Sequence, residues 1–104
     1  PFNLPRDPNI VYECYPVDDI PTVDIKQYFS KAHKWIEECR KQKRNVLVHC
    51  KVGRSRSPCI VVSYLMKSKG LDAKNAHRIV KNKRSININD GFMHQLRQYE
   101  MNML

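Results

Sequence analysis

Residues 45–58 read N-V-L-V-H-C-K-V-G-R-S-R-S-P, and the prediction of the fold starts from this stretch. It opens with the apolar run Val46–Val48, which is typical of a β-strand buried on both faces. It closes at Pro58, just before the mainly apolar block Cys59–Met66. Proline is favoured in the first turn of a helix because its missing N–H would have no partner there. The stretch therefore predicts a loop that leaves the carboxyl end of a buried strand and enters a helix.

Such a loop is suited to binding an anion. Its backbone N–H groups lack intrahelical partners, and the helix dipole favours negative charge. Cys50 is the first loop residue, and the pKa of a thiol at such a position typically falls to about 3.5–7.5. Arg56, six positions later, carries a planar guanidinium that can hold two oxygens of one phosphoryl group. The spacing predicts a thiolate nucleophile beside a bound phosphoryl group.

The other loop residues support this chemistry. Gly53 lets the backbone approach the anion closely, and the Ser57 hydroxyl can donate to the Cys50 sulfur when a phosphocysteine breaks down. His49 faces away from Cys50, because successive strand residues point to opposite faces, and we expect it to support the loop. The candidate contacts of the substrate phosphate are Lys51, Val52, Gly53, Arg54, Ser55 and Arg56.

The stretch His49–Ser57 resembles the signature loop of cysteine-dependent protein tyrosine phosphatases, and specifically of the dual-specificity phosphatases. Ser63–Met66 is similar to the family's Ala-Tyr-Leu-Met, and residues 89–96 are similar to its closing Asn-x-Gly-Phe…Gln-Leu. A departure occurs at Ile88, where the family usually has proline. The resemblance covers nearly all of the chain from about Val11. It adds Asn89 to His49 as a supporting residue of the site.

The resemblance implies an α/β fold of the protein tyrosine phosphatase type, in which helices flank a mixed central sheet. The sequence itself predicts two strands, Ile10–Val17 and Val46–Val48, whereas the family's sheet has about five. We therefore expect some N-terminal strands to be missing, so that residues 1–104 form the C-terminal two-thirds of a catalytic domain. The alternative is a reduced variant whose sheet edge is covered by something else.

Apolar periodicity predicts four helices. The first runs from Asp24 to about Lys43, and the second from Ser57 to about Ser68, where Gly70 ends it. A short third helix follows the cap residue Asp72, and the last begins at about Asp90. The inward-facing residues are predicted to be Ile25, Tyr28, Phe29, Ala32, Trp35, Ile36 and Cys39, then Ala73, Ala76, Ile79 and Val80, then Phe92, Leu96, Tyr99 and Met103. The histidines of these helices, His33, His77 and His94, are expected to face solvent.

A phosphocysteine mechanism also needs a proton donor for the leaving oxygen and, later, a base for water. Chemistry alone leaves Asp18 and Asp19 open, because adjacent loop residues can each reach a site. The resemblance selects Asp19, since the family's acid lies nine residues before the aromatic position matched by Tyr28. Asp24 is explained by its place in the first turn of a helix.

The net charge of +9 predicts acidic partners. We expect phosphorylated protein rather than nucleic acid, and the oligomeric state stays open. The chain has neither a run of about 18 apolar residues nor a signal peptide, so we expect no membrane insertion and a soluble protein of the cytoplasm or nucleus.

The four cysteines lack the density of a disulfide framework. Cys39 and Cys59 are expected in the core, while a resolving role for Cys14 beside Cys50 is a minority alternative. No metal or cofactor is predicted, because the four histidines show no ligand spacing with the cysteines.

The sequence thus predicts a phosphatase that hydrolyses phosphotyrosine and phosphoserine or phosphothreonine through a phosphocysteine on Cys50, with Asp19 as general acid and base. The alternatives are a phosphoinositide or RNA phosphatase and a phosphate-binding module without turnover. A sulfurtransferase also places a cysteine loop before a helix, but the C-x5-R spacing favours the phosphatase.

Overall fold

A computed structural model of the chain describes residues 18–43, 55–83 and 85–103. Four α-helices lie in these ranges, and a 3-10 turn leads into the first. The helices match the four that the apolar periodicity predicts, with boundaries shifted by a few residues. In chain order the elements are the 3-10 turn Lys26–Tyr28, α1 (Phe29–Lys41), α2 (Arg56–Lys69), α3 (Ala73–Lys83) and α4 (Asp90–Asn102).

The predicted central sheet is not seen in this structure, and the α/β prediction is therefore wrong for it. Every element in residues 18–43, 55–83 and 85–103 is helical, and no strand occurs among them. The runs on which the sheet prediction rested, Ile10–Val17 and Val46–Val48, lie outside the described residues. The described apolar segments have the period of a helix, so the core they form is made of helix-on-helix contacts.

The central element of this core is α2, which contacts α1, α3 and α4. Its side chains Cys59, Val62 and Met66 are fully buried, in line with its nearly continuous apolar surface. Gly70 ends the helix in the left-handed conformation with φ 65°, which glycine adopts without strain. Gly70 therefore marks the carboxyl end of α2, and the signature loop joins the helix at its amino end.

The core continues on both sides of α2 through aromatic and β-branched side chains. Phe29 of α1 and Phe92 of α4 are almost completely buried, as is Ile25 before the 3-10 turn. Ile88 is buried as well, so the residue at the family's usual proline position fills the core. The cysteines Cys39 and Cys59 are buried and free, as predicted.

Three predictions for single side chains are wrong. His33 is buried rather than solvent-facing, because Ser63 and Tyr99 provide hydrogen-bond partners for its ring. Ile79 is 40% exposed although its neighbours Ala76 and Val80 are buried. Met103 is 36% exposed, because α4 ends at Asn102 and does not carry Met103 onto its inward face.

A membrane-spanning helix and a metal-binding cluster are both absent from the described residues. None of the helices within residues 18–43, 55–83 and 85–103 has the length and apolar character needed to cross a membrane. These ranges also contain no group of three or more His, Cys, Asp or Glu side chains arranged around a possible metal ion.

Candidate active site

The structure describes only part of the predicted site. His49, Cys50 and the loop residues 51–54 lie outside the described residues, as does Cys14. The predicted site residues that are described are Asp19, Ser55, Arg56, Ser57 and Asn89.

The last residues of the signature loop form the start of α2. The carbonyl oxygen of Ser55 accepts a hydrogen bond from the N–H of Cys59 at 2.9 Å, which makes it the first acceptor of the helix. Arg56 and Ser57 are the first two helical residues, and Ser57 is buried. This end of a helix carries the positive pole of its dipole and favours a bound anion. The described end of the loop therefore has the electrostatics that a phosphate site needs.

Asp19 lies on an exposed loop that leads into the 3-10 turn. We call residues 19–26 the acid segment. The N–H of Val23 donates to the carbonyl oxygen of Ile20 at 3.0 Å, and the N–H of Ile25 donates to that of Val23 at 3.0 Å. These local bonds make the acid segment a compact turn rather than an extended strand.

Asn89 lies between the acid segment and the start of α2. Its Nδ2 donates to Oδ1 of Asp19 at 2.7 Å, and its backbone N–H donates to Oγ of Ser55 at 3.0 Å. Its Oδ1 accepts from the N–H of Phe92 at 2.8 Å, so that it caps α4. Because the amide oxygen faces the helix, the NH2 group must be the part that faces Asp19. Asn89 thus hydrogen-bonds both Asp19 and Ser55, and it links the acid segment to the start of α2.

Two residues to which the sequence analysis assigned no role, Gly91 and Gln95, also contact the acid segment. Gly91 lies against the backbone of Pro21, where an added Cβ would come within 2.0 Å of the carbonyl oxygen. Gln95 exchanges hydrogen bonds with the backbone of Val23 and Lys26. The signal that points to them is the closing motif Asn-x-Gly-Phe…Gln-Leu, to which both belong.

A broad cleft of about 1220 Å³ lies near the carboxyl end of α2 and contains none of the predicted site residues. Lysines 31, 34 and 67 contribute to its lining, together with Glu100. The carboxylate of Glu100 accepts from the N–H of Ala73 at 2.7 Å. This cleft is at the opposite end of α2 from Ser55, so it is separate from the predicted phosphate site.

Comparison with known proteins identifies the family. The family described as the dual specificity phosphatase catalytic domain matches residues 2–102. The chain belongs to this family. The phosphatase family predicted from the signature loop and the two later motifs is therefore confirmed.

Curated dual specificity phosphatases match the chain over most of its length. Dual specificity protein phosphatase 5 of Rattus norvegicus is 45% identical over 94 residues, which are 89% of this chain and 24% of that protein. Dual specificity protein phosphatase 1 of Arabidopsis thaliana is 41% identical over 96 residues, which are 91% of this chain and 48% of that protein. The chain therefore spans about a quarter to a half of the length of these two relatives.

A solved dual specificity phosphatase structure is also similar. The crystal structure of DUSP15 superposes with a TM-score of 0.90 at 37% sequence identity, covering 93% of this chain and 63% of that chain. The helices described here are therefore arranged as in a solved phosphatase of the family.

Proposed function

We propose that this chain carries the catalytic site of a dual-specificity phosphatase that hydrolyses phosphotyrosine, phosphoserine and phosphothreonine in proteins. The supporting observation is that Asn89 contacts both Asp19 and Ser55. Asn89 therefore lies between Asp19, the proposed proton donor, and Ser55, near the end of the C-x5-R loop. Family membership adds the expectation that the loop binds phosphate and that Cys50 is the nucleophile.

In the first step, the Cys50 thiolate attacks phosphorus and an S–P bond forms as the bond between phosphorus and the substrate oxygen breaks. The electron pair of the broken bond goes to that oxygen, which takes the proton of Asp19. The guanidinium of Arg56 and the backbone N–H groups of Lys51, Val52, Gly53, Arg54 and Ser55 bind the phosphoryl oxygens. A serine alkoxide is strongly basic, so this proton matters most for serine and threonine substrates.

In the second step, the Asp19 carboxylate takes a proton from a water molecule whose oxygen attacks phosphorus. The P–S bond breaks, and its electron pair returns to the Cys50 sulfur, to which the Ser57 hydroxyl donates a hydrogen bond. We expect His49 to support the loop. Inorganic phosphate leaves, with Asp19 protonated and the thiolate restored.

The substrate class is supported by charge and exposure. The net charge of +9 favours phosphorylated partners. Asp19 is exposed, which fits a shallow site where a short phosphoserine side chain reaches the acid as well as a phosphotyrosine does. The curated relatives are named as protein phosphatases, and on this ground we place phosphorylated protein ahead of lipid or RNA phosphate as the substrate.

The test is turnover by the purified chain, without added metal, of nitrophenyl phosphate and of peptides that carry each of the three phosphorylated residues. We expect hydrolysis of all four, inhibition by vanadate, and no turnover by Cys50→Ser. Phosphopeptide binding without turnover would instead make the chain a binding module. Faster hydrolysis of phosphoinositide vesicles or of 5′-phosphorylated RNA would replace protein as the substrate.

A further inference from the structure

We infer that the amino-terminal half of α4 positions the general acid: Asn89, Gly91 and Gln95 hold the acid segment so that Oδ2 of Asp19 carries the transferred proton. The inference rests on the proposed role of Asp19 and assigns to the closing motif a part in the reaction. These three are positioning residues, because they act through Asp19 rather than on the substrate.

Gly91 determines how closely the acid segment approaches α4. A Cβ built on Gly91 would lie 2.0 Å from the carbonyl oxygen of Pro21 and 2.6 Å from its carbonyl carbon and Cα. Real Cβ atoms essentially never make contacts under 3.0 Å, and these are backbone atoms that cannot rotate away. A methyl group at Gly91 would therefore push Pro21, two residues after Asp19, away from α4 by roughly 1 Å.

Gln95 holds the far end of the acid segment. Its Nε2 donates to the carbonyl oxygen of Val23 at 2.8 Å, and its Oε1 accepts from the N–H of Lys26 at 2.9 Å. One amide side chain thus satisfies a backbone acceptor and a backbone donor of the same turn. The acid segment is fixed at its middle by Gly91 and at its end by Gln95.

Asn89 selects the oxygen of Asp19 that carries the proton. Its Nδ2 donates to Oδ1 of Asp19, and its orientation is set by the bond from the Phe92 N–H. The unprotonated oxygen of a carboxylic acid is the better acceptor, so the proton of the neutral acid lies on Oδ2. Oδ2 is thereby left as the oxygen that delivers the proton.

The contacts account for the composition of the closing motif. Phe92 and Leu96 are fully buried in the core, whereas Asn89, Gly91 and Gln95 all contact the acid segment. The two buried residues therefore pack α4 into the core, and the three polar or small residues contact the acid segment and position Asp19.

The experiment compares two leaving groups. Gly91→Ala and Gln95→Ala are assayed beside the wild type on nitrophenyl phosphate, whose leaving group depends little on a proton, and on phenyl phosphate, whose leaving group depends strongly on one. We expect Gly91→Ala to lose about 10–100-fold more kcat on phenyl phosphate than on nitrophenyl phosphate, and Gln95→Ala a smaller loss with the same selectivity. Equal losses on the two substrates by both variants would overturn the inference.

Matched controls separate positioning from stability. Gly70→Ala also adds a methyl group at a helix end, but its Cβ would have no atom within 4 Å and would be strained only by the positive φ. Arg97→Ala shortens an exposed side chain of α4, two positions after Gln95. Both controls should keep the wild-type ratio of the two activities.

A readout independent of turnover distinguishes failure of this inference from failure of the proposed function. In NMR spectra of the wild type, the side-chain amide signals of Asn89 should respond to a change of pH, and the response should vanish in Asp19→Ala. In Gly91→Ala we expect the response to be much reduced. A wild type with this coupling but no turnover would refute the proposed function alone. If the Asn89 amide signals behave the same in the wild type and in Asp19→Ala, the inference is overturned even when the enzyme is active.

Discussion

The hydroxyl of Ser63 lies 2.8 Å from Nε2 of His33 inside the helical core. The same hydroxyl donates its one proton to the carbonyl oxygen of Ile60 at 2.7 Å, so Nε2 must be the donor to Ser63. Burial lowers the pKa of His33 to about 4, so at pH 7 the imidazole is neutral and Nδ1 accepts from the hydroxyl of Tyr99, 3.3 Å away. This network joins α1, α2 and α4.

Protonation of His33 should destabilise the fold. Burial, with Lys67 as a second cause, lowers the pKa of His33 from 6.5 to about 4. In the unfolded chain His33 is therefore protonated as the pH falls below about 6.5, whereas in the folded chain it is protonated only as the pH falls to about 4. The stability contributed by neutral His33 is fully present above pH 6.5 and is lost as the pH falls to 4, by roughly 2–3 kcal/mol.

Urea unfolding at pH 7, 5.5 and 4.5 measures this dependence as the difference between the wild type and His33→Gln. Removing His33 should flatten the pH dependence over this window. Identical slopes for His33→Gln and the wild type would contradict the lowered pKa of buried His33.

Ser63→Ala should destabilise the protein although alanine is the family's usual residue there. It leaves the buried Nε2–H of His33 without its acceptor, at a cost of about 1–3 kcal/mol. The same change in a His33→Leu background should cost much less, because no donor remains to be satisfied. Free energies of unfolding of the four proteins give the coupling, and a coupling near zero would disprove the bond's importance.

Asp19→Asn should slow hydrolysis of a phosphoserine peptide by about 10²–10⁴-fold and that of nitrophenyl phosphate far less. The amide can still accept from Nδ2 of Asn89, so the change removes the proton with little disturbance of the acid segment. Asp18→Asn is the matched control, since Asp18 is also exposed and chemistry alone left it open. A selective loss in Asp18→Asn instead would make Asp18 the acid.

Thiol labelling should distinguish the cysteines. Cys59 is fully buried, and burial raises the pKa of its thiol, while Cys39 is also buried. At pH 6 iodoacetamide should alkylate Cys50 quickly and leave Cys39 and Cys59 unmodified until urea is added. Peptide mapping by mass spectrometry follows each site, and vanadate should protect Cys50. Early labelling of Cys59 would show that the core opens readily.

Helices were predictable because their signals are local. The apolar period of α1 and α2 lies within a few turns, Gly70 ends α2, and Asp72 caps α3 by accepting from the N–H of Asn75 at 2.8 Å. The sheet prediction had no comparable support, since it rested on two short runs and a resemblance. Short apolar runs do not distinguish strand from buried helix by periodicity.

The burial of His33 could not be predicted in the same way. His33 lies four positions after Phe29 and three before Ile36, on the apolar face of α1, but the sequence alone does not show whether a histidine at such a position finds partners for its ring nitrogens. Its partners Ser63 and Tyr99 lie 30 and 66 positions away. Only the packing of α1, α2 and α4 provides the hydrogen-bond partners that offset the free-energy cost of burying the imidazole.

By itself, the sequence determined the helices, the family and the signature motif, because each is encoded in neighbouring residues. The residues alone did not choose between Asp18 and Asp19, and the family resemblance selected Asp19. Tertiary structure alone decided that α4 contacts the acid segment, since Asn89 and Asp19 are 70 positions apart. Contacts over such separations depend on how helices pack, and a local pattern carries no record of that packing.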